Sequence, residues 1–350
     1  MKRYSPFILM VAFFLIIIVA GSAYLSSGTR SVEHRPMQEI MAYTSLPAEV
    51  AAVLSEGYEK EYSIRVNFVQ LSSDQILNRL HDQLQHEPAG KASLVLTDRD
   101  TLDRAAAEGV LVPYVSEKND QVAASFRHPN GYWTGVWYDP IVFAVNEEYL
   151  RTHLDLPNSW QTLSYQKDIR IGMTDFMAAD AAANLLYSMI AEYGAPQTFD
   201  LWRGIQPKIV QYSRYLHTPV RQAGMGEVDL SVAVLSETLR YVRDDYPIRI
   251  LYPSDGTAAA VLGTGIVFPA AERDTHEAKR FADWLLTDEA QIALKHQGFY
   301  FLTTNPAALS GQIFAGKDIS IFQNRPYFTK KEKDVLLLDR WVKEVRFYES

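Results

Sequence analysis

The sequence predicts an α/β protein of two lobes behind an N-terminal signal or membrane-anchor helix. Three observations predict it. Residues 7–20 are an unbroken apolar run behind Lys2 and Arg3. From residue 39 onward, short β-type runs alternate with amphipathic helical runs, the pattern of parallel strands with helices packed on both faces. The segment Tyr132 to Asn146 is aromatic, β-rich and too long for one strand of a compact sheet, so it reads as a strand leaving one lobe for another.

The N-terminal run has the form of a bacterial export signal, a positive head followed by an apolar stretch. Two fates stay open. Gly21-Ser22-Ala23 offers small residues for cleavage after Ala23, whereas extension to Leu25 gives about 19 residues, near the roughly 20 that span a bilayer. A lipid anchor is excluded, because the chain contains no cysteine. Either way residues beyond about 26 are expected outside the cytoplasm, periplasmic or on the outer face of the membrane, where ATP and NAD are not supplied. Residues 26–37 read as a polar linker.

The 47 % apolar content is enough for real cores, and no later stretch is long enough to cross a membrane. Without Lys2 and Arg3 the chain keeps 32 basic residues against 42 acidic ones, a charge near −10. Such a balance argues against nucleic acid as a partner, since nucleic-acid binding rests on basic patches that release counterions. The missing cysteines also remove disulfides, thiolate metal sites and thiol nucleophiles.

The expected elements follow in order. Glu39 to Tyr43 is a strand, Thr44 to Pro47 a turn, and Ala48 to Tyr62 a helix with Val50, Val53, Leu54 and Tyr58 at helical spacing. Ile64 to Val69 alternates as a strand, Asp74 to Leu84 is amphipathic, Ser93 to Leu96 is a buried strand, and Thr101 to Glu108 is a helix ended by Gly109. After the crossing segment come strand Ile169 to Met173, helices Ala178 to Tyr193 and Phe199 to Ile205, and strand Leu230 to Leu235. Ile248 to Tyr252 and Gly265 to Pro269 are read as the return, followed by helices Thr275 to Thr287 and Asp288 to His296 and a tail helix Lys330 to Val345. The division expected is residues 1–25 signal or anchor, 26–37 linker, 38–137 with 248–350 the first lobe, and 138–247 the second.

Four segments, in this order, resemble the bacterial extracellular solute-binding proteins that feed ABC importers, in the branch of iron(III), phosphonate and hexose-phosphate binders. They are Ala42 to Pro47, Trp133 to Asn146, Tyr252 to Thr257 with its Pro-x-Asp-Gly, and Ala278 to Leu286 followed by Thr287-Asp288-Glu289-Ala290-Gln291. The likeness runs over roughly residues 38 to 345. It implies the two-lobed type II periplasmic-binding-protein fold with a two-strand hinge, and capture of a small solute between the lobes for delivery to a membrane permease, by a monomer with no cofactor.

Candidate ligand residues lie at the expected strand ends. Thr44 and Ser45 offer hydroxyls, although Ser45 is equally suited to capping the next helix. Asp98 offers an acceptor to a ligand or to the helix beginning near Thr101. Trp137 and Tyr138 offer aromatic faces at the crossing, or plain hinge packing. Thr174 precedes a turn where relatives carry a Ser-Gly-Thr anion-holding sequence. This chain instead has Asp175-Phe176-Met177-Ala178-Ala179-Asp180, with two carboxylates that would oppose an anion. Arg214, His217, Thr218 and Arg221, with Tyr215, form the most basic local group and suit oxyanion recognition or a solvated helix face. Asp255 completes the set, as a ligand contact or a turn residue.

Two other ligand or role readings remain. Ferric iron is a rival cargo, but the adjacent tyrosines of iron binders are missing from Asp229 to Thr238. A membrane-held sensor serving a signalling partner is the other. Catalysis has little support: there is no Gly-x-Ser-x-Gly elbow, no His-Glu-x-x-His, and neither Gly-x-Gly (from Gly224 and from Gly263) extends into a phosphate-binding fingerprint. No metal site is expected.

Overall fold

The computed structural model describes residues 38–85, 91–153, 155–268, 270–308, 319–322 and 331–347. The expected signal or anchor and the linker lie outside these residues. Among the described residues no helix is long and apolar enough to cross a membrane.

Eleven strands are present among the described residues: β1 Gln38–Thr44, β2 Ile64–Gln70, β3 Leu94–Asp98, β4 Leu111–Val112, β5 Trp133–Asn146, β6 Ile171–Thr174, β7 Ile209–Ser213, β8 Leu230–Val234, β9 Ile248–Leu251, β10 Ala259–Val267 and β11 Leu302–Thr303. They follow the path β2-β1-β3-β10-β5-β8-β6-β7. The switch between lobes occurs within β5. Its first half, up to Pro140, pairs antiparallel with β10, and from Ile141 it pairs antiparallel with β8 and β9. Fourteen residues at about 3.3 Å each are long enough to serve two sheets. The expected crossing strand is therefore found, with the change of sheet at 140/141.

In the first lobe β1 runs parallel to β3, and β10 runs against both β3 and β5. Helices Ala48–Tyr62 and Glu272–Leu285 pack on one face through Leu54, Tyr58, Phe281 and Trp284, with the Tyr58 and Phe281 rings meeting edge to face at 4.9 Å. Ile76, Leu80 and Leu102 cover the other face. In the second lobe β6, β7 and β8 are parallel. Its core holds Phe143, Trp160, Phe176, Leu186, Phe199 and Trp202.

Two expected placements are corrected. Ile248–Leu251 pairs with the second half of β5, so it belongs to the second lobe's sheet and not to the first lobe's return. The tail helix Lys331–Trp341, with the π-turn Val342–Arg346, packs on the second core. Trp341 is fully buried there against Phe176 and Tyr212, and Val345 is buried beside it. Helical periodicity announces an apolar stripe but not which core receives it, and the aromatic wall of the second lobe supplies the larger complementary surface. The chain thus passes between lobes a third time, leaving the first lobe after Asn305, whose side chain donates to Leu286 O.

Candidate functional site

The strand directions place the site. β1, β3 and the first half of β5 run toward the crossing side, and β8, β6 and β7 in the second lobe run toward it from the other side. The carboxyl ends Thr44, Asp98, Thr174, Ser213 and Val234 therefore line the space between the lobes, the usual position of ligands on open α/β sheets.

On the first-lobe side, side-chain hydroxyls and one carboxylate form a closed set. The Thr44 hydroxyl donates to Leu96 O at 2.7 Å and accepts from Leu46 N at 3.1 Å. Ser45 Oγ lies 2.7 Å from Thr97 Oγ1, and the helix that follows begins at Pro47 without a side-chain cap. Asp98 caps the helix Arg99–Ala107: it accepts from Thr101 N at 2.9 Å, and from the hydroxyls of Thr101, Ser73 and Thr97 at 2.8, 3.0 and 3.1 Å. Thr44, Asp98 and the half-buried Ser45 thus already have protein partners.

Next to them Arg99 leans over Trp133, 5.6 Å from the ring, with its Nε 3.5 Å from Asp103. Asp103 also accepts from Trp133 Nε1 at 2.7 Å, which fixes the carboxylate under the guanidinium. A small cleft, with a volume of about 20 Å³, lies alongside. Arg99, Ser125, Phe126 and the β10 residue Val261 line it from the first lobe, and Ser188 of helix Asp180–Tyr193 and Phe322 from the second. Tyr138 stacks on the lining residue Phe126 at 4.8 Å, and burial raises its phenol pKa. Ser188 donates to Asn184 Oδ1 at 3.3 Å, and Asn184 in turn donates to Ala259 O at 3.0 Å, tying the second-lobe helix to the start of β10.

One residue beyond Tyr138, Asp139 reaches the helix Leu235–Arg243 and accepts from both the backbone N–H (2.9 Å) and the hydroxyl of Ser236. Burial at the crossing pushes its pKa up to about 7, against the downward pull of those hydrogen bonds.

The remaining predicted residues scatter. Thr174 is buried and donates to Tyr215 O at 3.3 Å. Asp175 is ion-paired to Arg346 at 2.6 Å, so the tail occupies the turn after Thr174. The basic stretch runs into the helix His217–Gly224. On it Arg221 lies 3.8 Å from Glu227, and Thr218 is half-buried. Tyr215 and His217 are exposed and stack at 5.7 Å; Arg214 is exposed. Asp255 accepts from Trp160 N at 3.0 Å and Gln161 N at 3.1 Å, capping the helix Trp160–Tyr165. The cleft-lining residues Arg99, Ser125, Phe126 and Ser188 are missed by the sequence reading. Only Arg99 carries a signal, as the residue following Asp98 at a strand end.

A two-lobed sheet system with its strand ends facing a cleft, crossed by a shared strand, is suited to holding a ligand between its lobes. The family model for bacterial extracellular solute-binding proteins matches residues 89–313, and the chain belongs to that family. Among curated relatives, an uncharacterised protein of Haemophilus influenzae is 24 % identical over 340 residues, covering 94 % of this chain and 95 % of its own. Iron uptake protein A1 of Synechocystis is 24 % identical over 309 residues, 81 % of this chain and 82 % of its own. Among solved structures, the periplasmic binding protein AfuA of Actinobacillus pleuropneumoniae, with exogenous fructose-6-phosphate bound, is 21 % identical with a TM-score of 0.67, over 89 % of this chain and 99 % of that one. A Bordetella ferric binding protein is 19 % identical with a TM-score of 0.70, over 87 % and 98 %. These structural likenesses bear on the fold.

Proposed function

We propose that this protein captures a small anionic solute, one bearing a phosphate- or phosphonate-type head, in the cleft between its lobes and delivers it to an ABC permease, as a monomer working outside the cytoplasm. It performs no chemistry on its cargo. The observation that carries the reading is the cleft itself: a guanidinium, Arg99, at its wall with serine hydroxyls from both lobes, Ser125 and Ser188. Arg is suited to forked recognition of an oxyanion. We take the lobes as 38–140 with 259–308, and 141–258 with 319–347. Closure about β5 and the segment from β9 to β10 would bury the solute, and a solute favouring the closed state drives that closure.

Ferric iron is the second reading, favoured by the names of the Synechocystis and Bordetella proteins. It would require phenolate ligands, and burial raises the pKa of both Tyr138 and Tyr252 near the crossing.

The test is small-angle scattering and thermal unfolding of the full-length protein with phosphonates, sugar phosphates, carboxylates and ferric citrate. A cargo at a hundred times its Kd adds about 2.7 kcal/mol to stability and contracts the molecule. A shape and melting temperature indifferent to every compound would overturn the reading, and a response to ferric citrate alone would favour iron.

A further inference from the structure

We infer that residues 319–322 form a third strand of the hinge and restrain the parting of the lobes. This rests on the reading of the molecule as two lobes that close about β5 and the segment from β9 to β10, and names what limits that motion. The two crossings meet at one level. Ile141 N donates to Ala258 O at 2.9 Å, and the Thr257 hydroxyl donates to Ile141 O at 2.9 Å. The third passage of the chain joins them at the same place. Ile321 bridges Thr257 in parallel, with Thr257 N donating to Ser320 O and Phe322 N donating to Thr257 O, both at 2.9 Å. Thr257 is 1 % exposed, and its N–H, carbonyl and hydroxyl together hold the three passages side by side.

The side chains of this short strand reach both lobes. Ile319 packs against a small cluster in which Leu302 and Tyr138 come from the first lobe and Val142 and Leu235 from the second. Phe322 packs on the second-lobe core, its ring edge-on to Tyr193 at 5.4 Å, and Tyr193 in turn donates to Asp255 O at 2.8 Å. The same ring closes on the backbone of Gly256. A Cβ there would stand 2.7 Å from Phe322 Cε1, and a φ of +94° independently favours glycine. The strand is thus wedged against the residue that precedes the hinge position. A ribbon of two strands is marginal alone and twists strongly, whereas a third strand with its own side-chain packing stiffens it. Rotation of the lobes about 140/141 and 257/258 must carry the third strand along or break its two hydrogen bonds.

The experiment compares Phe322→Ala and Phe322→Pro with the wild type, all full length. Alanine removes the ring alone. Proline removes the ring and also the N–H that donates to Thr257 O, and it leaves the preceding residue in the extended region that a strand needs. The chain has no cysteine, so Glu56→Cys on helix Ala48–Tyr62 and Gln197→Cys on helix Ala195–Ile205, both exposed, accept a fluorophore pair that reports lobe separation. Without any solute, the lobe distances should be longer and broader in Phe322→Ala than in the wild type, and more so in Phe322→Pro. Amide exchange at Thr257 should rise about 2- to 10-fold in Phe322→Pro, as for the loss of one net hydrogen bond. A proline variant no different from the alanine variant would overturn the strand pairing. Both variants matching the wild type would overturn the restraint, and solute capture would still stand or fall by the scattering panel above. Should Phe322→Pro fold poorly, exchange of the Phe322 amide in the wild type decides: protection comparable to that of Ile141 supports the third strand, and exchange at the rate of an unstructured amide overturns it.

Discussion

Replacing Asp139 by Asn separates the two forces acting on this carboxylate. Its hydrogen bonds from Ser236 at the start of a helix favour the charged form, whereas burial at the crossing disfavours it, and burial dominates. The folded-state pKa rises from 3.8 to about 7. At about 1.4 kcal/mol per pH unit, the ceiling on the effect is about 4 kcal/mol. The side chain keeps little solvent contact, and local relaxation and water penetration lower the figure to ~2 kcal/mol. The sign follows from linkage. A carboxylate with a raised folded-state pKa favours the fold fully below its unfolded value near 4, and that contribution is lost as pH climbs through 7, because the unfolded chain releases the proton first. The amide introduced by Asp139→Asn keeps an acceptor oxygen for Ser236 and has no proton to release. Urea denaturation of both proteins at intervals from pH 4 to 8 isolates this group, since other titrations cancel in the difference. The Asn variant should gain ~2 kcal/mol on the wild type across that interval. Parallel curves, or a variant that loses ground as pH rises, would refute the dominance of burial over the helix cap.

Three further outcomes are expected. Trp341→Ala should destabilise the protein by ~3–5 kcal/mol, the range for emptying a buried aromatic site, seen as a lower urea midpoint; a change below about 1 kcal/mol would mean the tail helix is not part of the second core. Gly263→Ala places a Cβ 2.8 Å from Thr134 O and 2.9 Å from Leu102 Cδ1. A backbone carbonyl has little room to give, so a loss of ~1–3 kcal/mol is expected, read as a fall in melting temperature; an unchanged melting temperature would contradict the tight β10–β5 approach. Asp255→Ala removes the acceptor for two N–H groups of helix Trp160–Tyr165 and should cost ~1–2 kcal/mol, whereas Asp255→Asn, retaining one acceptor oxygen, should recover part; equal losses in the two would point away from capping.

Helix Ala48–Tyr62 was legible to the residue because Val50, Leu54 and Tyr58 form a stripe that nothing else explains, and Ser63 ends it in the left-handed region. β5 was legible from its length and its aromatics. β7 was not, because an edge strand with Val210 and Gln211 exposed shows no alternation of burial. The site divides along a different line. Thr44, Asp98 and Asp255 are residue types that serve a helix end, a strand end or a ligand with the same atoms, and only the positions of Leu96, Thr101 and Trp160 decide which. Ser188 was hidden inside the apolar run of its helix, where pattern assigns a core role. Phe126 sits in a one-turn 3₁₀ segment with no periodicity at all, and nothing in the sequence around Tyr138 points to it as the stacking partner.

The docking of Trp341 and Val345 among Phe176, Trp202 and Ile141 also sets the order in which the molecule can be made. Domains generally pack as their segments become available during synthesis. Here the second lobe's core begins with Ile141 and takes in Val345, so it cannot be completed until the chain has also passed through the first lobe's β10 and helix Glu272–Leu285. The two cores are therefore interleaved along the chain, and the more aromatic one receives its last described residues after the other is complete.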